Sequence, residues 1–446
     1  MRTRLLKGGV WVLIGQFGTG VSQILIAMLL ARILLPDQFG EFQVVQRIVL
    51  FMSMLASFGM GWVIVRRIAD GIATNRLDLC VFHSKNIFFI VTTAAIFLSV
   101  VFAIWGESIS VGFFSVDISP VIWLIIGLII CATYQQVIPE GYRGLHDLKS
   151  ASLFSGAMPN LIFLVLLAGI LLIIGQTNLK LVLTIFFVSS LLAVLISGTV
   201  LVRRLLALSQ ITPTVSYEQS SHPHVTKDNV SAGVSLTLSN VTAFLVNQSD
   251  VWIVAALFST REAGLYAAAS RLGFFVTAPV MIANGVIRPF IVSLWSQNDK
   301  VRLETLLRSV SLTTTVIGAI PVLLSIVWGR EILELVYGNS FSEGSDILVA
   351  ISIGWLSLLI LGPAGTFMIL VGHQKQYLYC TIIGGMAFVL ASIFLYEFWG
   401  TAASIAVAAS IGMATNSIAT SIYTYKFLGV RTFIGNFSVI KGLKDA

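Results

Sequence analysis

The chain has 446 residues, of which 57% are hydrophobic and only 11% are charged, with a formal net charge of +7. Because soluble proteins carry about 25% charged residues, this composition excludes a cytosolic enzyme, a disordered chain and a nucleic-acid-binding protein. The three cysteines form no CxxC pair, and the five histidines share no acidic or cysteine cluster. The sequence therefore predicts neither a disulfide framework nor a metal site.

Twelve apolar stretches are long enough to cross a membrane as helices. A bilayer core about 30 Å thick needs about 20 apolar residues of helix, and continuous apolar runs do not fit the alternating pattern of a membrane barrel. No convincing cleavage site follows the first stretch, so we interpret it as a retained membrane helix. The predicted spans are residues 9–31, 43–65, 86–105, 120–138, 151–174, 181–202, 231–258, 263–289, 309–328, 347–371, 377–397 and 401–427.

Lysine and arginine are distributed unevenly between the two sets of loops. With the N-terminus inside, twenty of the 27 basic residues fall in inner segments and four in outer segments. Since cytoplasmic loops carry the excess of basic residues, the pattern predicts that both termini are cytoplasmic. The three remaining basic residues, Arg47, Arg271 and Arg288, lie inside predicted helices.

The sequence around the first outer turn is repeated in the middle of the chain. The segment ARILLPDQFGEFQVVQRI (residues 31–48) aligns without gaps with AALFSTREAGLYAAASRL (residues 255–272). A single offset of 224 brings Gly40 onto Gly264 and Arg47 onto Arg271. Chance similarity between two helical hairpins is the alternative explanation.

The repeat predicts two parallel lobes. Six spans separate the two copies, so both halves have the same orientation, as in transporters whose halves are related by an axis along the membrane normal. The segment between the halves contains Ser, Thr, Pro and His without helical periodicity. We predict an N-terminal six-helix lobe over residues 1–205, a cytoplasmic linker over 206–228 and a C-terminal six-helix lobe over 229–446.

The arginines inside the spans are the candidate substrate ligands. A mid-helix arginine costs about 2.5–3.5 kcal/mol to insert, so it usually faces a cavity or a partner. Arg47 follows the outer turn by about seven residues, or about 10 Å of helix. We predict that Arg47 and Arg271 line one central cavity, where guanidinium groups suit phosphate oxygens, with Gln46 as a further ligand. The alternative is that both arginines snorkel to the outer head groups. Arg288, about 25 Å deeper, either lines the cavity or snorkels to the inner interface.

Asp250 is the acidic residue placed well within a predicted span. It and Arg271 are equally distant from the turn predicted between spans 7 and 8, so we predict a partial ion pair, which lowers the cost of both charges. The corresponding position in the first half, Ile26, is apolar, so no equivalent pair is predicted there. A second interpretation is that Asp250 binds a coupling proton or cation.

Three of the prolines inside predicted spans are expected to interrupt their helices. Pro159, Pro279 and Pro363 fall in spans 5, 8 and 10. Proline lacks the backbone N–H that continues a helix, so we predict an interruption at each position.

Three segments of the chain resemble bacterial polysaccharide transporters, the Wzx-like O-antigen flippases. The first is KGGVWVLIGQFGTGVSQILIAMLLARILLPDQFGEF (residues 7–42), the second is NQSDVWIVAALFSTREAGLYAAASRL (residues 247–272), and the third is GYRGLHDLKSASL (residues 141–153). The likeness extends to the twelve-span layout over the whole length.

The resemblance implies an all-α fold, that of the multidrug/oligosaccharidyl-lipid/polysaccharide exporters, with two six-helix lobes forming a V. The implied function is to flip a polyprenyl-pyrophosphate-linked oligosaccharide of O-antigen or lipopolysaccharide biosynthesis from the cytoplasmic to the outer leaflet of the bacterial inner membrane. The family's cationic cavity would correspond to Arg47, Arg271 and Arg288. Expected partners are the lipid-linked substrate, membrane lipids and other polysaccharide-assembly proteins, without nucleic acid or a cofactor. Coupling to a proton or sodium gradient is compatible with this function.

Three other functions are alternatives to this one. A cation-coupled multidrug exporter of the same superfamily should prefer acids in its cavity, whereas basic residues outnumber the one acid here. A membrane glycosyltransferase or polymerase often needs a DxD site or a large extramembrane domain, and the sequence shows neither. A major-facilitator transporter should carry a G-x-x-x-D-R loop after span 2, where this chain reads GWVIVRRIADGIATNR. We therefore predict a transporter rather than an enzyme.

Overall fold

A computed structural model describes residues 2–74, 77–114, 116–174 and 177–209, then 237, 240–242 and 244–246, and finally 248–434. Every regular element among these residues is helical. Ten helical stretches in the described part are long and apolar enough to cross a membrane. The all-helical, polytopic fold class predicted from the sequence is therefore confirmed.

The chain separates into two compact units, Met1–Phe244 and Leu245–Ala446. The predicted linker 206–228 lies almost wholly outside the described residues. The helices of the first unit are α1 (Arg2–Ile33), α2 (Pro36–Ser57), α3 (Met60–Ala73), α4 (Leu77–Phe114), α5 (Ile122–Gly144), α6 (Leu148–Ser152), α7 (Met158–Ile174) and α8 (Leu179–Ser209). Those of the second are α9 (Asp250–Leu257), α10 (Thr260–Gly273), α11 (Ala278–Ser296), α12 (Lys300–Tyr337), α13 (Ser345–Leu361), α14 (Ala364–Leu370), α15 (Gln374–Trp399) and α16 (Ala402–Tyr423).

Two of the twelve predicted spans lie partly outside the description. Side chains before residue 15 are not described, and the first span is represented by the shorter apolar helix Gly18–Ile33. Ten residues of the predicted span 231–258, all of them before α9 begins at Asp250, are likewise undescribed. Each of the other ten predicted spans overlaps one of the ten membrane-length stretches.

Helix α5 is the centre of the first unit, since α2, α3, α4 and α8 all pack against it. Its Tyr142 is fully buried, stacks on Phe154 at 5.3 Å between ring centroids, and donates a hydrogen bond to the Ser197 carbonyl at 2.7 Å. Between helices in a membrane, such close packing and hydrogen bonds supply the attraction, because lipid tails are as apolar as the side chains.

In the second unit, α16 packs against α13 and α15. The helices α15 and α16 approach closely where Gly384 faces Gly412. A Cβ on Gly384 would lie 2.8 Å from the Gly412 carbonyl oxygen, and one on Gly412 would lie 2.9 Å from the Gly384 carbonyl oxygen. Small residues at such a crossing let two backbones come together, as is typical of membrane helix pairs.

The second predicted span, 43–65, is wrong in its bounds and in its continuity. Helix α2 begins at Pro36 and ends at Ser57, and α3 begins at Met60. Proline is favoured at the first turn of a helix, where its missing N–H costs nothing. Phe58 and Gly59 between the helices have φ of +48° and +65°, a left-handed conformation that glycine adopts readily and that ends a helix.

The three predicted proline interruptions are present. Pro159 is the second residue of α7 and follows a π-helical turn, Leu153–Ala157. Pro279 is the second residue of α11 and follows a 3₁₀ turn, Phe274–Thr277. Pro363 lies between α13 and α14.

The internal repeat is confirmed by the bounds of the helices. Helix α1 ends at Ile33 and α2 begins at Pro36, while α9 ends at Leu257 and α10 begins at Thr260, so both boundaries differ by 224 residues. Burial repeats as well: Gly40 and Gly264 are buried, as are Phe42 and Tyr266. The copies differ further along, because α2 is continuous to Ser57 whereas α10 changes to a 3₁₀ turn at Phe274.

Candidate substrate-binding residues

Arg47 is half-buried on α2 and lies further from the start of its helix than the sequence predicts. Because α2 begins at Pro36, Arg47 is eleven residues from the start of its helix, or about 16 Å, instead of about 10 Å. The run Phe42–Val45 just before it is buried. Gln46 is half-buried next to it. A greater depth makes snorkelling to the head groups harder for an arginine.

Arg271 is half-buried near the end of α10, also eleven residues after the start of its helix. It interacts electrostatically with the hydroxyl of Tyr337, the last residue of α12. Tyr337 is 1% exposed, and its ring packs on Phe341 at 5.7 Å between centroids. Tyr337 is not among the site residues predicted from the sequence, because nothing in the local sequence relates residues so far apart.

Asp250 and Arg271 lie at less similar depths than predicted. Helix α9 packs against α10, as expected of a hairpin, but the turn is at Phe258 and Ser259. Arg271 is therefore about one helical turn, or about 6 Å, further from the turn than Asp250. Asp250 is the first residue of α9, and its Oδ1 accepts a hydrogen bond from the Val251 N–H at 2.9 Å. A carboxylate is stabilised at a helix N-terminus. The ion pair with Arg271 stays a prediction.

Arg288 is exposed on the surface of the second unit, on α11. Its side chain is therefore not packed among the helices of its own unit. Both predicted alternatives for Arg288, lining the cavity and snorkelling to the inner membrane interface, stay predictions.

The motif at residues 141–153 holds helix ends together in the first unit. Asp147 caps α6 by accepting a hydrogen bond from the Ser150 N–H at 3.1 Å, and it forms an ion pair with Arg204 of α8. The Arg204 guanidinium lies 5.5 Å from the centroid of the Tyr142 ring. These contacts give this segment a structural role.

A pocket of about 120 Å³ lies in the first unit, at the break between α2 and α3. It was not predicted, because the break that opens it was not predicted. Its walls come from the break, from α5 and from residue 240, and include Ser57, Gly61, Trp62, Gln136, Glu140 and Asn240.

The family model of polysaccharide biosynthesis proteins matches residues 5–295. The capsular polysaccharide biosynthesis protein CapF of Staphylococcus aureus is 23% identical over 167 residues, which are 36% of this chain. The match spans 41% of the length of CapF, well under two thirds of that curated relative.

Two solved structures are similar over nearly the whole chain. One is an inward-facing multidrug resistance MATE family transporter of the MOP superfamily, with a TM-score of 0.68, 13% identity, and coverage of 91% of this chain and 93% of that one. The other is the lipid II flippase MurJ in an inward closed conformation, with a TM-score of 0.68, 12% identity, and coverage of 94% and 88%. At 12–13% identity, these likenesses establish a shared fold. Since the family model matches well over half of the residues, the chain belongs to the family of polysaccharide biosynthesis proteins.

Proposed function

We propose that the protein is a flippase that moves a polyprenyl-pyrophosphate-linked oligosaccharide from the cytoplasmic to the outer leaflet of a bacterial inner membrane. The saccharide is a repeat unit of a surface polysaccharide such as O-antigen. Both termini are cytoplasmic in this proposal, as the uneven distribution of basic residues favours. Transport proceeds by alternating access, in which two repeats rock around the bound substrate.

The matched positions of Arg47 and Arg271 carry the proposal. Each is a half-buried cation eleven residues into corresponding helices of the two units. The pyrophosphate is the part of the substrate that needs fixed positive charge. One guanidinium group can bind two phosphate oxygens at once through two parallel hydrogen bonds. Gln46 adds a neutral hydrogen-bonding group beside Arg47. Arg288 is a further candidate ligand only because its guanidinium can bind phosphate oxygens.

Tyr337 and Asp250 have supporting roles in the second unit. The buried Tyr337 hydroxyl is a polar group close enough to the Arg271 guanidinium to interact with its charge electrostatically. Asp250 either lowers the cost of burying Arg271 or binds a coupling ion. Substrate can drive the conformational change only if it binds the two states with different affinities.

The test is complementation of a bacterial strain whose own polysaccharide flippase is deleted. The parent chain should restore surface polysaccharide, and Arg47→Ala and Arg271→Ala should fail to do so at equal abundance in the membrane. Arg330→Ala is the matched control, since Arg330 is an exposed arginine outside the proposed site. The deletion strain should accumulate lipid-linked oligosaccharide on the inner leaflet.

Two results would contradict the proposal. Full complementation by both alanine variants would remove the role of the arginines. A parent chain that restores no polysaccharide but confers resistance to lipophilic cations would instead favour the multidrug exporter. That alternative shares the fold but should prefer acids in its cavity.

A further inference from the structure

The pocket at the break between α2 and α3 combines an aromatic ring with amide and carboxylate groups. Trp62 is 67% exposed at the third position of α3. Gln136 and Glu140 come from neighbouring turns of α5, and Asn240 adds a second amide. All four residues belong to the first unit, so the pocket is complete within it.

The backbone at the break brings α3 against Glu140. The left-handed conformations of Phe58 and Gly59 turn the chain, and α3 then starts beside α5. A Cβ on Gly61 would lie 3.1 Å from Cγ of Glu140, a tight contact in which a side chain would crowd the carboxylate. The glycine therefore keeps room at the carboxylate side of the pocket.

The polar groups that line the pocket are held in place by hydrogen bonds. The Gln136 side chain donates a hydrogen bond from Nε2 to the Ser53 hydroxyl at 2.7 Å. The carbonyl oxygen of the same Gln136 amide therefore points away from Ser53. Arg143 forms an ion pair with Oε1 of Glu140. A carboxylate has a second oxygen that can accept further hydrogen bonds. These side chains are oriented before any ligand arrives, which lowers the entropic cost of binding.

The charges of the pocket favour a neutral ligand. The Glu140 carboxylate repels a phosphate, and its ion pair with Arg143 weakens its attraction for a free cation. What remains is an exposed indole ring beside amide and carboxylate groups that accept and donate hydrogen bonds. A sugar ring fits this set, because its C–H face packs on an aromatic ring and its hydroxyl groups bond to such side chains.

We infer that this pocket binds one sugar ring of the saccharide carried by the lipid-linked substrate. The volume of about 120 Å³ is the size of a single ring, not of an oligosaccharide. The inference rests on the proposed function, in which the pyrophosphate is bound by Arg47 and Arg271. In the proposed orientation the pocket lies toward the cytoplasmic side, where the saccharide first meets the protein.

The experiment measures binding of polyprenyl pyrophosphate to the purified full-length protein in nanodiscs. The lipid is used bare and with one attached glucose, galactose, N-acetylglucosamine or N-acetylgalactosamine. The parent should bind at least one glycosylated lipid more tightly than the bare lipid. Trp62→Ala and Asn240→Ala should reduce this preference by about tenfold and leave the Kd of the bare lipid unchanged.

Two further variants separate the sugar pocket from the pyrophosphate site. Trp123→Ala is the matched control, because Trp123 is 78% exposed on α5 and does not line the pocket. It should keep the full preference. Trp62→Phe should keep most of it, since an aromatic ring remains. Arg47→Ala should weaken binding of the bare and glycosylated lipids by the same factor.

The outcomes distinguish the two proposals. If Arg47→Ala weakens all the lipids but the preference is absent in the parent, or unchanged in Trp62→Ala, the sugar pocket is wrong and the flippase proposal stands. If the parent binds none of the lipids, both proposals fail.

Discussion

Arg47 and Arg271 lie at the same position in two copies of one helical hairpin. Each is eleven residues after the first residue of its helix, and in each copy the preceding helix ends three residues before that start. At 1.5 Å per residue, both side chains leave the backbone about 16 Å from the turn. That is about half the thickness of a bilayer core. At this depth, an arginine is stable only with partners or a polar cavity.

We therefore expect each arginine to contribute separately to substrate binding. Charge-assisted hydrogen bonds contribute about 1.5–3 kcal/mol, so Arg47→Ala and Arg271→Ala should each lower the rate of flipping by about ten- to a hundredfold. The lysine variants should keep part of the rate, because they retain the charge but lose the planar fork. The measurement is the initial rate at which a fluorescent polyprenyl-pyrophosphate saccharide changes leaflet in proteoliposomes.

Arg330→Ala is the reference for this measurement, since it removes an exposed arginine from α12. Its rate should equal that of the parent. Equal rates in Arg47→Ala, Arg271→Ala and the parent would show that neither side chain contacts the pyrophosphate.

Asp250 and Arg271 provide a second test, because the observed turn separates them by about 6 Å in depth. A long arginine side chain can cover one helical turn, so we expect the pair to form. In a double-mutant cycle of Asp250→Asn and Arg271→Gln, the coupling energy for thermal unfolding should be about 1–2 kcal/mol.

The repeat supplies the matched control for this cycle. Ile26 and Arg47 have the corresponding positions in the first unit, and Ile26 is a buried apolar residue. The cycle of Ile26→Val and Arg47→Gln should give a coupling energy near zero. A coupling equally close to zero for Asp250 and Arg271 would exclude the ion pair and leave the ion-binding interpretation of Asp250.

Helix positions were predictable wherever local chemistry determines them. Apolar runs located the ten described spans, and Pro159, Pro279 and Pro363 marked interruptions, whereas Pro321 lies inside the helix α12. The start of α10 also has a local signal, because the Ser259 hydroxyl accepts a hydrogen bond from the Glu262 N–H at 3.1 Å. Pro36 was a comparable signal for α2, but the hydropathy window placed the start of that span later.

The pocket was beyond sequence reasoning for a physical reason. Phe58 adopts a left-handed conformation that a bulky residue takes only when tertiary packing enforces it. Trp62 and Glu140 then meet across helices that are far apart in sequence. A run of apolar residues contains no information on such a contact. The interaction between Arg271 and Tyr337 could not be predicted for the same reason.

The gap between α13 and α14 allows a test of backbone conformation. Gly362 has φ of +80°, and a Cβ there would collide with the Thr432 carbonyl oxygen. Gly372 has φ of +90° with open space around it, so it isolates the conformational cost. Gly362→Ala should lower the melting temperature by about 4–8 °C more than Gly372→Ala does. Equal decreases in melting temperature would mean that the Thr432 backbone does not lie in close contact with Gly362.

The end of α13 depends on a segment that follows α16. Gly362 and Pro363 end the helix, and the Thr432 hydroxyl donates to the Leu361 carbonyl at 2.9 Å. Thr432 is fully buried, so Thr432→Val keeps the shape but leaves a buried carbonyl without this donor. We expect a loss of about 1–3 kcal/mol in the free energy of unfolding. The control is Thr415→Val, which removes an exposed hydroxyl bonded within its own helix. The measurement is the melting curve of each variant in the same detergent. Equal stability of the two variants would show that the segment after α16 does not stabilise the end of α13.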